Sequence, residues 1–89
     1  MKTFKLIVST PQGNVLEKEI TMLSVRGTEG SLAVMAGHVP FITAVAPGAV
    51  TIELPDDTVR AGHLDGGILT VAADGVTLLA GSFTFDDEA

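Results

Sequence analysis

Two histidines, His38 and His63, are the residues of this 89-residue chain best suited to carrying a proton or holding a metal, and each follows a glycine, in "AGHVP" and "AGHLD". A metal site needs two or three ligands converging on one point, and neither histidine has a second histidine near it in the chain. Asp65 follows His63 by two residues, a spacing that shares one face of a strand, but Gly66-Gly67 opens a turn there. The serines, Ser9, Ser24, Ser31 and Ser82, do not stand in a G-x-S-x-G nucleophile turn. "GGILTV" lacks the lysine that a phosphate loop would use, and "AGHLDGG" has no basic residue near its turn. With no cysteine there is no thiol nucleophile, disulfide or thiolate metal site. The chemistry-bearing residues therefore predict no catalytic group, no metal and no cofactor.

The elements that would position these residues are strands. Phe4 to Ser9 is a short aliphatic strand ended by Pro11 and Gly13. Val15 to Val25 reads as two short strands or one long bent one, with a charged kink at Glu17-Lys18-Glu19. Leu32 and Val34 mark another, closed by Gly37, and Phe41 to Val45 the next, followed by a Pro47-Gly48 turn. Val50-Thr51-Ile52-Glu53-Leu54 alternates apolar and polar with period two, the signature of a half-buried strand. Pro55-Asp56-Asp57 turns it back into Thr58 to Leu64. Ile68 to Ala72 and Val76 to Ala80 flank Ala73-Asp74-Gly75, a strong hairpin signal. Nothing before Gly81 has a helical period. The tail alternates Phe83 and Phe85 and ends in acids that read as a solubilising extension. The pattern predicts an all-β domain, a flattened β-sandwich or barrel of about eight to ten short strands, spanning residues 1–85, with 86–89 as an acidic tail.

Length and composition set the limits. A single domain of this size hides roughly 60–65% of the surface its unfolded chain exposes, yet 46% of the residues are apolar. Either part of that apolar surface is covered by a partner, or the core is aliphatic on both sides. No window approaches the about 18 apolar residues of a membrane span, and the apolar run near the N-terminus is too short for a signal peptide. The net charge of −6, with five cations scattered along the chain and four Phe as the whole aromatic complement, excludes nucleic-acid binding. One alternative of a different class is a small acidic all-β carrier of lipoyl or biotinyl type. Such a carrier needs a lysine at a tight hairpin tip, whereas Lys18 lies between acids in "LEKEI".

The central segment "VRGTEGSLAVMAGHVPFITAVAPGAVTI", together with "LDGGILTVAADGVTLLA" and "LIVSTPQG", resembles the N-terminal β-sandwich domain of the epsilon subunit of F-type ATP synthases, called delta in mitochondria. The spacing Glu29-Gly30, Gly37-His38, Pro40, Thr43 and Pro47-Gly48 carries the resemblance, which extends over Phe4 to Ala80. It implies a non-catalytic rotor component that binds the gamma subunit and rests on the c-ring, peripheral to the cytoplasmic face of a bacterial plasma membrane. It also implies roles. Glu29, Gly30, Ser31, Gly37 and His38 would face the c-ring, and Ser9 and Thr43 the gamma subunit. Many members of the family have a second acid where this chain has Ser31. Epsilon subunits continue into a pair of C-terminal helices that restrain ATP hydrolysis in many relatives, and this resemblance stops short of them, so no inhibitory arm and no nucleotide site are expected.

Overall fold

The period-two segment behaves as its pattern requires: Val50, Ile52 and Leu54 are buried while Thr51 and Glu53 lie on the other face. The same alternation recurs along the chain in the computed structural model, which describes residues 2–37 and 39–86. Ten strands follow one another: β1 (Phe4–Thr10), β2 (Gly13–Ile20), β3 (Met22–Gly27), β4 (Gly30–Met35), β5 (Phe41–Val45), β6 (Gly48–Glu53), β7 (Val59–Leu64), β8 (Gly67–Ala72), β9 (Gly75–Ala80) and β10 (Phe83–Phe85). The described residues contain no helix. The all-β expectation holds, at the upper end of the expected strand count.

The strands form one sheet folded over on itself, in the order β10-β7-β6-β3-β5-β8-β9-β1-β2, with β4 paired to β3 off that path. Strand β3 is the corner. Its start pairs with β6, Met22 opposite Glu53, and its end meets β5 through Gly27 opposite Val45. This switch divides the fold into two walls, β10-β7-β6-β3-β4 and β5-β8-β9-β1-β2. Between them lies a core free of buried polar or charged side chains among the described residues, with Leu6, Ile20, Leu23, Ile52, Leu69 and Leu78 fully enclosed. Each such side chain contributes about 2 kcal/mol on burial. Most neighbours are antiparallel, but β1 runs parallel to β9, Leu6 beside Val76.

One local expectation changes. The break between Val15 and Val25 falls at Thr21, not at Glu17-Lys18-Glu19. Those three charged residues stay in β2, opposite Ile7, Leu6 and Lys5 of β1. At an edge strand, charges are compatible with pairing on one side and discourage pairing on the other. Thr21 turns the chain because its N–H and hydroxyl both donate to the Glu53 carbonyl, at 2.8 and 3.0 Å, fixing β3 on β6. At the other terminus, Phe83–Phe85 is a strand on β7. Asp86, the first of the acidic residues, is tied down as well: its N–H donates to the Ala61 carbonyl at 2.8 Å, and its carboxylate meets His63 Nδ1 at 2.8 Å.

Candidate functional site

Strands β3 and β4 pair continuously from Met22–Met35 to Gly27–Gly30, so Thr28-Glu29 is a two-residue hairpin tip. Gly30 takes a φ of 132°, open to glycine and strained for other residues. Beside the tip lies a shallow depression of about 210 Å³ lined by Glu29, Gly30, Ser31, Leu32 and Thr43 among others. Thr43 reaches it because β5 ends next to β3, where the Ala46 N–H donates to the Arg26 carbonyl at 2.8 Å. Strand directions bring the turns at Thr10–Gly13, Ala46-Pro47, Asp65-Gly66 and Gly81-Ser82 to this same end of the sandwich. Within it, Asp65 accepts the Ser82 N–H at 2.9 Å, which stiffens the approach to β10.

The residues singled out from the sequence therefore do not form one patch. Glu29, Gly30 and Ser31 cluster, with Thr43 beside them. Gly37 lies at the far end of β4, about 20 Å away for a strand of that length, against Phe4, Val34 and the β8–β9 hairpin. His38 is outside the described residues. Ser9 sits at the end of β1 beside Leu79, on the outer face of the second wall. Lys18 is in mid-strand opposite Leu6, away from any hairpin tip. His63 points outward from β7 with 62% of its side chain exposed, and its carboxylate partner is Asp86, not Asp65.

The surface around Ser9 is the feature the motif reading missed. Pairing carries two rows across the outer face of the second wall, one through Ala44, Ile68, Leu79 and Ser9, the other through Ile42, Thr70, Thr77 and Ile7. Ile42 is 71% exposed, Ile68 48% and Leu79 47%. The charged rim of this face is self-contained: Lys5 Nζ meets Glu17 at 2.7 Å, and their hydrogen bond, reinforced by the charge attraction, raises the Lys5 pKa and lowers that of Glu17. The interior of the face is left uncharged. It offers branched aliphatics and hydroxyls side by side on the paired strands. Among the described residues no group of three metal-ligating side chains comes together.

Known proteins share this architecture. The family model described as ATP synthase, Delta/Epsilon chain, beta-sandwich domain matches residues 3–86. This chain belongs to that family. Over 80 residues, 90% of its length, it is 38% identical to the ATP synthase epsilon chain of Psychrobacter cryohalolentis and 40% identical to that of Bacillus velezensis. It spans 58% and 60% of the lengths of those two relatives. Its fold superposes on a chain of the Euglena gracilis mitochondrial ATP synthase OSCP/F1/c-ring assembly with a TM-score of 0.91 at 20% identity, covering 98% of this chain and 56% of that one. For a chain of the Tetrahymena thermophila mitochondrial ATP synthase central stalk and c-ring the TM-score is 0.80 at 16% identity, covering 98% and 69%. At those identities the likeness is one of fold.

The aliphatic face of this delta/epsilon domain did have a signal in the sequence. Leu6-Ile7-Val8, Phe41-Ile42, Ile68-Leu69 and Leu78-Leu79 place apolar residues at consecutive positions. An antiparallel strand with one wet face alternates, so unbroken pairs mark strands apolar on both sides.

Proposed function

We propose that this domain is a non-catalytic component of the central stalk of an F-type ATP synthase, docked to the gamma subunit and seated on the polar loops of the ring of c subunits. It then belongs at the cytoplasmic face of a bacterial plasma membrane, held there through the complex, and helps to couple ion flow through the ring to ATP synthesis. The observation that carries this reading is the pairing of a dry outer sheet face with a stiff, polar loop end on a domain of the delta/epsilon family. The aliphatic face around Ile42, Ile68, Leu79 and Ser9 suits gamma, because burying branched side chains on a preformed sheet gains apolar contact with little ordering of the chain. The Glu29–Ser31 end, with Thr43 at its edge, suits the ring, because a glycine-bounded two-residue turn presents polar groups without new entropy loss. On this reading Ser9 keeps the gamma-facing role the resemblance implies, and Thr43, implied to face gamma as well, is proposed to join the ring-facing residues because it lines the depression beside Glu29.

The experiment is reconstitution. Added to synthase stripped of its epsilon subunit, the 89-residue chain should co-sediment with the gamma-bearing F1 portion and restore its attachment to the ring and proton-driven synthesis. Hydrolysis should stay uninhibited, since the two proposed docking surfaces, around Ile42, Ile68 and Leu79 and around Glu29 to Ser31, are built from strands and turns alone. Failure to bind either neighbour, or inhibition sensitive to ATP, would count against the reading.

A further inference from the structure

Arg26 is the last outward-facing residue of β3 before the hairpin, exposed and opposite Ser31 across the β3–β4 pair. Its stem lies along the start of β6, where a Cβ on Gly48 would meet Arg26 Cδ at 3.5 Å and Arg26 Cβ at 3.7 Å. Next to Arg26 is a shallow cleft of about 290 Å³ walled by Ser24, Ser31, Ala49 and Thr51, none of which carries charge. No ion pair to Arg26 forms among the described residues.

The other cations lie elsewhere. Lys2 and Arg60 are at the opposite end by strand direction, Lys5 is paired with Glu17, and Lys18 lies close enough to Asp56 to help lower its pKa. Arg26 is therefore the cation of the Glu29 end among the described residues, on the wall that turns away from the aliphatic face. Covering a guanidinium with a partner that offers no acceptor forfeits its hydration. Whatever sits on this end has to present oxygen to Arg26, and the two oxygens of a carboxylate match the guanidinium fork best.

We propose that Arg26 selects an acidic polypeptide loop as the surface seated on the Glu29 end of the domain. The inference rests on the reading that this end meets the ring, and it adds the sign of charge the ring must offer: a carboxylate facing β3, set beside a polar or basic group facing Glu29. The opposed charges of Arg26 and Glu29 then fix the register of the contact, which a tip bearing one sign would leave free to slide.

The test compares the wild-type chain with Arg26→Gln and Arg26→Glu, binding to the isolated c-ring in detergent and separately to gamma-bearing F1 lacking its own epsilon subunit, at low and high salt. The expected result is a loss of ring affinity of about fivefold for Gln and about tenfold or more for Glu, shrinking as salt rises, with gamma binding unchanged. Unchanged ring affinity in both variants, with the wild type binding, overturns the proposal and leaves the functional reading standing. Equal loss of gamma binding also overturns it. So does ring affinity that survives while salt-sensitive binding to phosphatidylglycerol vesicles disappears, since Arg26 then answers to lipid phosphate. A wild-type chain that binds neither ring nor gamma brings down the functional reading, and this proposal with it.

Discussion

The two outward faces of this sandwich are laid on the same pleat and carry different loads. The face of β5, β8, β9 and β1 bears Ile7, Ile42, Ile68 and Leu79, with Thr70 and Thr77 between them. The face of β4, β3, β6 and β7 bears Ala33, Ser24, Thr51 and Ala61 in one row and Met35, Met22, Glu53 and Val59 in another. Both enclose the same core, so the difference is not demanded by folding. A domain short of apolar burial gains nothing from an isoleucine left 71% exposed at Ile42. The aliphatic face exposes branched side chains in its middle, whereas the opposite face carries small residues in the row nearer the Glu29 end, with Arg26 at that margin and Met22, Met35, Glu53 and Val59 farther from it.

The largest expected effect tests whether the aliphatic face depends on tight pairing beneath it. A Cβ at Gly67 would stand 1.8 Å from the Leu79 carbonyl oxygen. Gly67→Ala must therefore force β8 from β9, and a loss of about 3 kcal/mol or more in urea unfolding is expected. Ala61→Val, on the exposed small-residue face, should change stability by no more than about 0.5 kcal/mol. Equal effects would mean that the two walls are built to the same tolerance.

Next in size is the docking contrast itself. Ile42→Asp combined with Ile68→Asp should weaken binding to gamma-bearing F1 by about a hundredfold, as expected when two apolar anchors are lost, with little change in thermal midpoint. Thr51→Asp combined with Ala61→Asp, the same added charge on the opposite face, should leave gamma binding intact. The reverse pattern would exchange the roles of the faces.

How far the sequence led is clear from these same residues. Alternation from Val50 to Leu54 placed β6 and its burial, and the Ala73-Asp74-Gly75 turn placed β8 and β9. Where apolar residues ran in unbroken pairs, as at Ile68-Leu69 and Leu78-Leu79, periodicity marked strands but not which side met the core. That choice depends on how β3 turns the corner between β6 and β5, a long-range event with no local motif. Gly27 and Gly30, on either side of Thr28-Glu29, are the local sequence feature that goes with that hairpin tip. The gathering of Thr43 at that tip, and the separation of Gly37 from it by the length of β4, follow from topology alone. Arg26 escaped notice because its meaning depends on what is not beside it.

The two ends of the molecule extend the contrast at lower energy. Asp57, in the β6–β7 turn opposite the Glu29 end, has a φ of 69°, a left-handed conformation that aspartate tolerates and branched residues do not. Asp57→Val should cost about 1–2 kcal/mol. Asp57→Gly should be close to neutral, relief of strain being offset by a more flexible unfolded chain. Neither should alter ring or gamma binding, and a docking defect in Asp57→Gly would place a partner at this end too.

The smallest effect is a pH dependence in that same turn. The Asp56 carboxylate accepts hydrogen bonds from the Thr58 hydroxyl and, at 3.1 Å, from the Thr58 N–H, which hold its pKa below the ordinary value of 3.8. A folded-state pKa below the unfolded one stabilises the fold above the unfolded value, and that contribution disappears as pH falls through the folded value. Asp56→Ala should therefore lower the urea midpoint near about pH 7, and the gap from wild type should close on acidification below about pH 4, where the unfolded chain takes up the proton first. Glu17, depressed by Lys5, titrates in the same direction at the rim of the other wall. Acid thus loosens two exposed turns and edges while the uncharged core and the aliphatic face keep their shape. A gap that shows no narrowing as the pH falls from about 7 to well below 3.8 would show that Asp56 holds the turn by shape, not by charge.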